Sequence, residues 1–534
     1  MLFNSYEFIL LFLPITFLGF YLASQLGNRR LSIFWLVAAS LFFYGWWNPP
    51  YLLLLLLSIG VNYILGQGLN QAHLSENEKS GKILLLLGVV FNLGLIGYYK
   101  YFNFFIDNFN ALSGASFNIA QIVLPLGISF YTFQQISYLI DSLEGETKHY
   151  RFIDYCLFVS FFPQLIAGPI VSHQEMMPQF SKQSKIGLNK ENFAIGLTIF
   201  SIGLFKKVIL ADQIALYATP VFNAASQGVP LTLAEAWMGA LAYSLQIYFD
   251  FSGYSDMAIG AARLFGIQLP LNFNSPYKAI NIIDFWGRWH MTLTRFLTRY
   301  LYNPIALNLS RRRVQQGKSL IKRGVGSLGA FAELITLPTI ITMFLAGLWH
   351  GAGWQYIVFG LLHGFYLTIN HGWHMILKSR GYNLKQTSWL GKRIGQSITL
   401  LAVVVAMVFF RASDVGNAMA MLTAMVGGNK FSLADGALFP NHIFSDPKIG
   451  LLWLIVLMIV VFYFPNTQQW MARYTPALNF NPVQEIQNHP RWLATIWKTL
   501  EWRPTVMWAG LTSAIAFTAF LGLSQLSEFI YFQF

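Results

Sequence analysis

Long apolar runs recur along the whole chain, and they constrain its fold more than any other feature. A run of about 20 apolar residues is long enough to cross the ~30 Å hydrocarbon core of a bilayer as an α-helix. Several runs are shorter than this, so we expect some of them to be tilted or re-entrant. The candidate spans lie at about residues 5–25, 31–47, 51–66, 83–101, 120–140, 152–171, 193–211, 233–251, 331–348, 354–377, 394–411, 449–464 and 506–530.

The charge content agrees with a membrane protein. Only 11% of the 534 residues are charged and 55% are hydrophobic, whereas a soluble protein carries about 25% charged residues. The sequence therefore predicts an all-α polytopic membrane protein with about 11 to 13 transmembrane helices plus re-entrant or interfacial helices. We expect one domain over residues 1–534, with core motifs in 120–375 and C-terminal helices in 394–530.

The net charge of +13 limits the classes of partner. The Lys and Arg residues are spread over loops between apolar runs, which indicates cytoplasmic loops of a membrane protein and not a nucleic-acid-binding surface. The single cysteine, Cys156, lies in an apolar run, so no disulfide framework is expected. The first apolar run has neither a basic region before it nor a small-residue cleavage site, so we expect a retained span and not a removed signal peptide.

The distribution of loop charge predicts an orientation in the membrane. Residues 263–323 carry eleven Lys or Arg against one acidic residue, and residues 378–393 carry five with no acidic residue. Both segments are therefore expected on the cytoplasmic side. The apolar hairpin 331–377 between them then crosses outward and returns, which places His350 away from the cytoplasmic ends. The less basic loop 412–448 is expected on the outer side.

Ionisable side chains interrupt the apolar pattern most densely between residues 246 and 363. Each costs ~2.5–3.5 kcal/mol near the middle of a membrane on insertion scales. A chain that keeps so many of them is expected to use some in its function. They are Asp250, Asp256, Asp284, Arg288, His290, Arg295, His350 and His363.

His350 has the most suggestive setting of the ten histidines. It lies between Trp349 and the small residues 351–353 in the apolar hairpin. The small residues leave room for a substrate beside the ring, and desolvation favours the neutral imidazole that accepts a proton. The alternative is a buried histidine that only makes structural hydrogen bonds. His290, also preceded by a tryptophan, is the second candidate, while for His363 the structural role is favoured.

Other histidines lack such a setting. His371 and His374 lie three residues apart, a spacing that suits a metal, but no HExxH motif or third ligand accompanies them. We therefore expect no metal site. His173 is one of several histidines in polar loops and is expected at the surface.

The basic segment 276–323 is too polar to span a membrane. It repeats aromatic and basic residues at helical spacing, which predicts an amphipathic helix in the membrane interface with Arg288, Arg295 and Arg299 toward the head groups. One interpretation is a surface helix without chemistry. The other is a cytoplasm-facing entry for an anionic cofactor such as coenzyme A, whose phosphates suit Arg and Lys.

Seven stretches within roughly residues 1–375 carry a family resemblance. They are MLFNSYEFILLFLPI, SLFFYGWWNP, LPLGISFYTFQQISYLID, FPQLIAGPI, FDFSGYSDMAIGAARLFGIQLPLNFNSPY, FWGRWHMTLTRFLTRYLYNPI and GLWHGAGWQYIVFGLLHG. Together they are similar to the membrane-bound O-acyltransferase family, and to its branch with the integral-membrane subunit of bacterial alginate O-acetylation machinery. The later spans resemble that family only in hydropathy.

The resemblance implies a fold and a reaction. The fold is a set of membrane helices around a central tunnel, and the enzyme is an O-acyltransferase, in this branch an O-acetyltransferase of the bacterial inner membrane. Acetyl-CoA, or another acyl thioester, is implied as a cytoplasmic co-substrate, with no permanently bound cofactor. The acetyl group is then expected to pass outward to a periplasmic acetyltransferase-type partner protein or to a polysaccharide hydroxyl.

The resemblance also implies residue roles. The family's WHG histidine matches His350, and its RxWHxTL histidine matches His290. A neutral imidazole takes the proton from a hydroxyl as it attacks the thioester carbonyl. We therefore expect His350 to be the base and His290 to position the donor, assist the leaving thiolate or share a proton relay. The neighbouring Trp289 and Trp349 are expected to line the tunnel.

The resemblance also implies roles for two further groups of residues. The cations expected to bind the phosphates of coenzyme A are Lys278, Arg288 and Arg295. The remaining side chains expected to line the tunnel are Asp250, Tyr254 and Asp256. The alternative for this last group is an intramembrane polar network that holds helices together.

Two other functions fit parts of the sequence. A secondary transporter or polysaccharide flippase also has broken helices and buried charges, but it predicts paired repeats in two halves, and none is visible by eye. A scaffold without catalysis that recruits a periplasmic enzyme is the third possibility. The two motif histidines favour the acyltransferase over both.

Overall fold

The computed structural model describes residues 1–118, 120–147, 149–182, 189–384, 388–429, 439, 441, 443–480, 499–524 and 529–530. These residues form helices and loops, and no strand longer than an isolated bridge occurs among them. The α-helices are α1 Leu13–Gln25, α2 Arg29–Gly45, α3 Pro49–Leu74, α4 Glu78–Ile96, α5 Phe102–Ser113, α6 Ile128–Leu143, α7 Phe152–Ser160, α8 Phe162–Leu165, α9 His173–Lys182, α10 Lys190–Phe205, α11 Asp212–Ser226, α12 Leu233–Leu264, α13 Ile282–Trp286, α14 Met291–Leu297, α15 Asn303–Gln315, α16 Leu328–Phe331, α17 Leu337–His350, α18 Trp354–Ser379, α19 Trp389–Arg411, α20 Val415–Met425, α21 Pro447–Tyr463, α22 Thr467–Trp470 and α23 Val506–Leu521. Short π-helical turns lie at Glu7–Phe12, Gly97–Tyr101, Lys206–Ala211, Thr298–Tyr302 and Ala332–Thr336, and 3-10 turns at Pro276–Lys278, Ala472–Tyr474 and Gly522–Ser524.

The described part of the chain contains six helical stretches that are long and apolar enough to cross a membrane. Three shorter apolar helices, α20, α21 and α23, accompany them. The prediction of an all-α polytopic membrane protein is confirmed, while the total of about 11 to 13 spans and the central tunnel stay predictions. The six stretches are Glu7–Gln25, Pro49–Leu74, Glu78–Ser113, Lys190–Ser226, Leu328–His350 and Trp389–Arg411.

Polar side chains mark where several of these helices begin. The Asn28 side chain accepts hydrogen bonds from the backbone N–H groups of Arg30 and Leu31 at the start of α2. Ser388 does the same for Gly391 at the start of α19. Such caps satisfy N–H groups that have no partner within the helix, and each is worth about 1 kcal/mol.

The predicted span at residues 152–171 is not one continuous helix. The segment forms the short helices α7 and α8, which are interrupted at Phe161, and it continues without regular structure after Ile166. Pro163 lacks an N–H group and therefore suits the first turn of a helix better than its interior. All of these residues from Tyr155 onward are buried, so this apolar run packs against other parts of the protein. Of the predicted C-terminal span at 506–530, residues 525–528 lie outside the described residues.

The chain divides into two compact units. Unit 1 comprises residues 1–208, 251–271 and 467–533, and unit 2 comprises residues 209–250 and 272–466 together with residue 534. The prediction of a single domain over the whole chain stays a prediction.

Candidate active site

A tightly packed helical hairpin in unit 2 positions His350. The hairpin consists of α17 and α18, and His350 is the last residue of α17, directly before the extended turn at residues 351–353. A Cβ atom on Gly347 would lie 2.3 Å from the Tyr356 carbonyl oxygen, and one on Gly360 would lie 2.3 Å from the Met343 carbonyl oxygen. Small residues let two membrane helices approach this closely. The predicted apolar hairpin with His350 at its turn is therefore confirmed.

Aromatic side chains surround the buried His350 ring. Its centroid lies 5.0 Å from the Trp349 ring, 5.7 Å from Phe359 on α18 and 5.1 Å from Phe410 on α19, and all three rings approach it edge-on. Only 5% of the His350 surface is exposed. Aromatic packing of this kind keeps bulk water from the imidazole, as the sequence led us to expect.

The basic segment is not one continuous helix, so that part of the prediction is wrong. Helix α13 ends at Trp286 and α14 begins at Met291. The backbone between them pairs with an extended stretch at residues 272–274. The Asn274 N–H donates to the Arg288 carbonyl over 2.9 Å, and the Met291 N–H donates to the Asn272 carbonyl over 2.9 Å. Helical spacing cannot reveal such a partner from elsewhere in the chain.

His290 lies at this break in a strained conformation. Its φ of 42° and ψ of 52° are in the left-handed region, which few residues other than glycine adopt and which often marks functional sites. The side chain is completely buried. Burial lowers the pKa of His290 to about 3, because the charged imidazolium loses its hydration.

Asn272 determines which nitrogen of His290 carries the proton. The Asn272 Oδ1 atom accepts hydrogen bonds from the Thr292 hydroxyl at 2.9 Å and from the Thr292 backbone N–H at 3.4 Å. The same oxygen lies 3.0 Å from His290 Nδ1, which must therefore donate. The neutral ring then has its basic lone pair on Nε2.

The two motif histidines contact the same indole ring. The Trp349 ring lies 5.0 Å from the ring of His350 and 6.2 Å from that of His290. The sequence separates the two histidines by 60 positions, and unit 2 brings them to one aromatic cluster. The structure thus places both predicted catalytic residues and Trp349 together.

A third histidine joins this cluster. His363 is completely buried, and its Nδ1 accepts a hydrogen bond from Trp286 Nε1–H at 3.2 Å. Its ring lies 4.7 Å from Phe359, the same ring that packs against His350. The hydrogen bond agrees with the structural role favoured for His363 from the sequence, whereas its place in the cluster was not predicted.

The three cations expected to bind the donor have different surroundings. Lys278 Nζ donates to the Phe464 carbonyl at 2.7 Å. Arg288 pairs with Asp284 at 2.7 Å and also donates to the Asn274 carbonyl. Arg295 is exposed on α14. Donor binding by all three stays a prediction.

Two residues expected to line a tunnel are buried in unit 2. The Trp289 ring packs edge-on against Phe273 at 5.1 Å and stacks on Phe285 at 5.7 Å. Asp250 is 1% exposed and lies within electrostatic range of the Tyr243 hydroxyl. These positions agree with packed walls of the cluster, and a tunnel-lining role stays a prediction.

The other two such residues belong to unit 1. Asp256 accepts hydrogen bonds from Lys206 Nζ at 2.6 Å, from the Thr467 hydroxyl at 2.6 Å and from Gln468 Nε2 at 3.0 Å. The Tyr254 ring stacks on Phe3 at 4.8 Å. The contacts of Asp256 are those expected of a polar network that holds helices together, which was the alternative interpretation. The tunnel-lining role of both residues stays a prediction.

The expectation for His173 is wrong. Only 1% of its surface is exposed. Its Nε2 lies 2.9 Å from an Asp141 carboxylate oxygen, and its Nδ1 lies 3.0 Å from the Tyr150 hydroxyl. A polar loop sequence does not show that the fold covers this position.

Sequence reasoning missed several residues that shape the site. Asn272 gives a weak signal, because it is an amide inside the apolar stretch LPLNF. Phe359 and Phe410 give none, since phenylalanine is common in every span. Their importance appears only when α17, α18 and α19 are assembled.

Known proteins resemble this chain over most of its length. A family model described as MBOAT, the membrane-bound O-acyltransferase family, matches residues 139–319. A peptidoglycan O-acetyltransferase of Helicobacter pylori is 43% identical over 461 residues, which cover 81% of each chain. A probable alginate O-acetylase AlgI of Pseudomonas putida is 34% identical over 539 residues and 100% of each chain. A teichoic acid D-alanyltransferase of Streptococcus thermophilus is 27% identical over 302 residues, covering 53% of this chain and 68% of that one.

Identity above 30% along the full length of both chains is far more than a shared membrane topology requires. The match agrees with the motifs that carry His290 and His350, and it confirms the predictions of an enzyme and of a multi-pass membrane O-acyltransferase. The chain belongs to the membrane-bound O-acyltransferase family.

Proposed function

We propose that this protein is an O-acetyltransferase of the bacterial inner membrane. It takes the acetyl group from a cytoplasmic thioester, acetyl-CoA, and passes it to a periplasmic acetyltransferase-type partner protein or to a polysaccharide hydroxyl. Two relatives named for O-acetylation of alginate and of peptidoglycan support the acetyl group and the type of acceptor. The observation that carries the proposal is that His290 and His350 contact one indole ring.

His350 acts as the general base in this proposal. Its imidazole removes the proton from the acceptor hydroxyl while the oxygen attacks the thioester carbonyl. The tetrahedral intermediate then collapses, the carbon–sulfur bond breaks, and the thiolate takes the proton back from the imidazolium. The products are the ester and the free thiol. General-base assistance of this kind contributes about 10²–10⁴-fold to a rate.

His290 works as a neutral group. With a pKa near 3 it does not carry a stable positive charge at neutral pH, so it is a poor permanent partner for the thiolate. The contact of Asn272 with Nδ1 makes Nε2 the accepting side of the ring. We assign His290 the positioning of a reacting group or a share in the proton relay.

The acyl donor binds only as a co-substrate, and no cofactor is permanently bound in this proposal. The basic segment around α13 and α14 is the entry for coenzyme A from the cytoplasm. Arg295 is its best-placed cation, because it is exposed while Lys278 and Arg288 are half-buried.

The transporter or flippase has less support. It explains buried charges, but it does not require two histidines against one indole ring. Membership in an acyltransferase family also favours chemistry over transport. A scaffold without catalysis would not need the orientation that Asn272 gives to His290.

The test is acetyl transfer by purified protein in lipid nanodiscs. Thioester loss from radiolabelled acetyl-CoA is followed with and without a candidate periplasmic partner, in the wild type and in His350→Gln. We expect kcat to fall about 10²–10⁴-fold in the variant. Gln keeps hydrogen-bonding capacity but cannot take the proton.

His371→Gln is the matched control, because His371 is also a partly buried helical histidine but lies outside the aromatic cluster. It should retain wild-type turnover. Wild-type turnover in folded His350→Gln would refute the assignment of the base. A wild type that consumes no acetyl-CoA even with its partner would refute the proposed donor.

A further inference from the structure

A groove in unit 2 runs between helices α18 and α19, over the beginning of α13, and has a volume of about 500 Å³. Its walls are one face of α19 from Gly391 to Ala402 and one face of α18 from Tyr366 to Leu377. Because an α-helix rises by ~1.5 Å per residue, each wall is about 16 Å long. This length matches one leaflet of a bilayer, which is half of the ~30 Å hydrocarbon core.

The outer edges of the groove are apolar and exposed. Ile369 and Trp373 on α18 are 69% and 55% exposed, and Ile398 on α19 is 61% exposed. Helix α19 is long and apolar enough to cross a membrane, and the apolar run that contains α18 is a predicted span. Exposed apolar side chains on such helices face hydrocarbon. The groove therefore opens toward lipid and not toward water.

Two polar side chains that line the groove already have partners within the protein. Asn370 Oδ1 accepts a hydrogen bond from the Ile283 backbone N–H at 3.2 Å, and Asn370 Nδ2 lies 3.3 Å from His374 Nε2. The Thr399 hydroxyl donates to the Gly395 carbonyl at 2.7 Å. An acyl chain suits such a lining better than the pantetheine arm of coenzyme A, because the amides of that arm would lose their hydrogen bonds to water.

Contacts on the inner side fix the floor of the groove. A Cβ atom on Gly395 would collide with the Ile280 carbonyl oxygen, so α19 lies directly on the stretch before α13. Trp286, the last residue of α13, donates a hydrogen bond to His363 on α18. The floor is thus attached to both walls, and a pre-formed site lowers the entropic cost of binding.

Cations lie at the end of the groove that the loop charges place on the cytoplasmic side. Lys392 and Arg393 are exposed near the start of α19, next to the lining residue Gly391. Lys378 lies in the last turn of α18, and the segment between the two helices contains no acidic residue. The Arg393 guanidinium carbon lies 5.9 Å from the centroid of the Trp389 ring, a pairing that suits the head-group level of a membrane. Basic pockets between membrane helices on the cytoplasmic side bind anionic lipid head groups.

We propose that an anionic phospholipid of the cytoplasmic leaflet binds in this groove. One acyl chain lies between α18 and α19, and the phosphate lies at Lys392 and Arg393. The apolar walls match the chain, and the two cations attract the phosphate through charge-assisted hydrogen bonds. The inference does not depend on acyl transfer, since it rests on the shape, lining and charge of the groove alone.

The test is native mass spectrometry of the full-length protein in detergent micelles, titrated with phosphatidylglycerol or with phosphatidylcholine of the same acyl chains. The first lipid carries one net negative charge and the second carries none. We expect the tightest-bound phosphatidylglycerol to bind the wild type about 10- to 30-fold more tightly than phosphatidylcholine, with a smaller preference in added salt. Lys392→Gln/Arg393→Gln should reduce this preference at least about threefold. Ala402→Phe, which places a ring in the groove, should weaken the binding of both lipids.

Each variant has a matched control. Arg311→Gln/Arg312→Gln removes two exposed cations from another segment that is predicted to be cytoplasmic, and Leu401→Phe enlarges an exposed residue of α19 outside the groove. Both should bind the two lipids as the wild type does.

Equal binding of the two lipids by the wild type, or an unchanged preference in Lys392→Gln/Arg393→Gln, overturns the inference. Tight binding that persists in folded Ala402→Phe also overturns it, because the head group would then bind without the groove. Displacement of phosphatidylglycerol by acetyl-CoA would assign the groove to the acyl donor and overturn the inference as well. Thioester turnover by the wild type separately decides the proposed function.

Discussion

Two regions of the molecule bury ionisable side chains, and the surroundings of these side chains differ between the two regions. In unit 1 the Asp256 carboxylate accepts three hydrogen bonds, one of them from the ammonium group of Lys206. In unit 2 His290 is held by Asn272 through Nδ1, and its ring lies among aromatic side chains together with His350. The first arrangement neutralises a charge, whereas the second orients a neutral imidazole.

The two arrangements are suited to different roles, the first to the stability of the fold and the second to catalysis. A buried charge is tolerated only when an opposite charge and further hydrogen bonds compensate for its lost hydration. A histidine that positions a reacting group or relays a proton instead needs an environment that keeps it neutral and fixes its tautomer. Loss of Asp256 should therefore act mainly on the folded state, and loss of the orienting Asn272 mainly on turnover.

The largest effect on stability is expected for Asp256→Ala. The change leaves the Lys206 ammonium buried without its partner, because 13% of the Lys206 side chain is exposed. Breaking a buried pair from one side costs about 3–5 kcal/mol. Denaturant unfolding in detergent micelles measures the loss, and thioester turnover is measured per folded molecule.

The double variant Lys206→Met/Asp256→Leu provides the control. It removes both charges and should recover most of the unfolding free energy, since apolar replacements of buried pairs are often neutral or stabilising. Unchanged unfolding of Asp256→Ala together with a collapse of turnover would contradict the structural role and place Asp256 on the substrate path.

The sequence was sufficient for the class of fold because apolar runs of membrane-crossing length have few alternatives. It did not predict the break within residues 152–171, where an apolar run of the same hydropathy forms two short helices near Pro163. It failed again at the break before Met291, since the pairing partner at residues 272–274 is distant in the chain. Hydropathy measures the preference of a segment for an apolar environment, and it does not distinguish a lipid bilayer from a protein interior.

For the site, the sequence identified the residues with unusual local settings. His350 between Trp349 and a glycine-rich turn was such a case, and the hairpin is present as expected. Phe359 and Phe410 are ordinary in sequence, and their place around His350 arises only from contacts between helices. The sequence around one residue can identify a reactive side chain, whereas the residues that orient this side chain are recognised only in the folded structure.

A smaller effect is expected for Asn272→Ala. His290 then loses the acceptor that fixes its tautomer and its ring orientation, and kcat should fall about 10- to 100-fold with little change in KM. Steady-state kinetics with acetyl-CoA in nanodiscs measure it. A decrease confined to the unfolding free energy would contradict the orienting role.

Asn272→Asp tests the same contact through the pH dependence of turnover. A carboxylate beside His290 favours the imidazolium and raises its pKa from about 3. Turnover of this variant should therefore fall as the pH is lowered from about 8 to 5, whereas wild-type His290 stays neutral throughout that range. Asn223→Asp, which adds the same charge at an exposed position on α11, should keep the wild-type profile. Identical profiles for all three proteins would contradict the assignment.

The smallest effect concerns the cations near the proposed donor entry, which differ in how far they are exposed to solvent. Arg288 is engaged by Asp284 and Asn274, while Arg295 is exposed. Arg295→Gln should raise the KM for acetyl-CoA about 3- to 10-fold, an effect that weakens with added salt because exposed charges are screened. Arg288→Gln should instead lower stability and leave that KM within about twofold of the wild type. The reverse pattern would show that the Asp284 pair opens to bind the donor, and that a group bonded in the free protein can still serve the substrate.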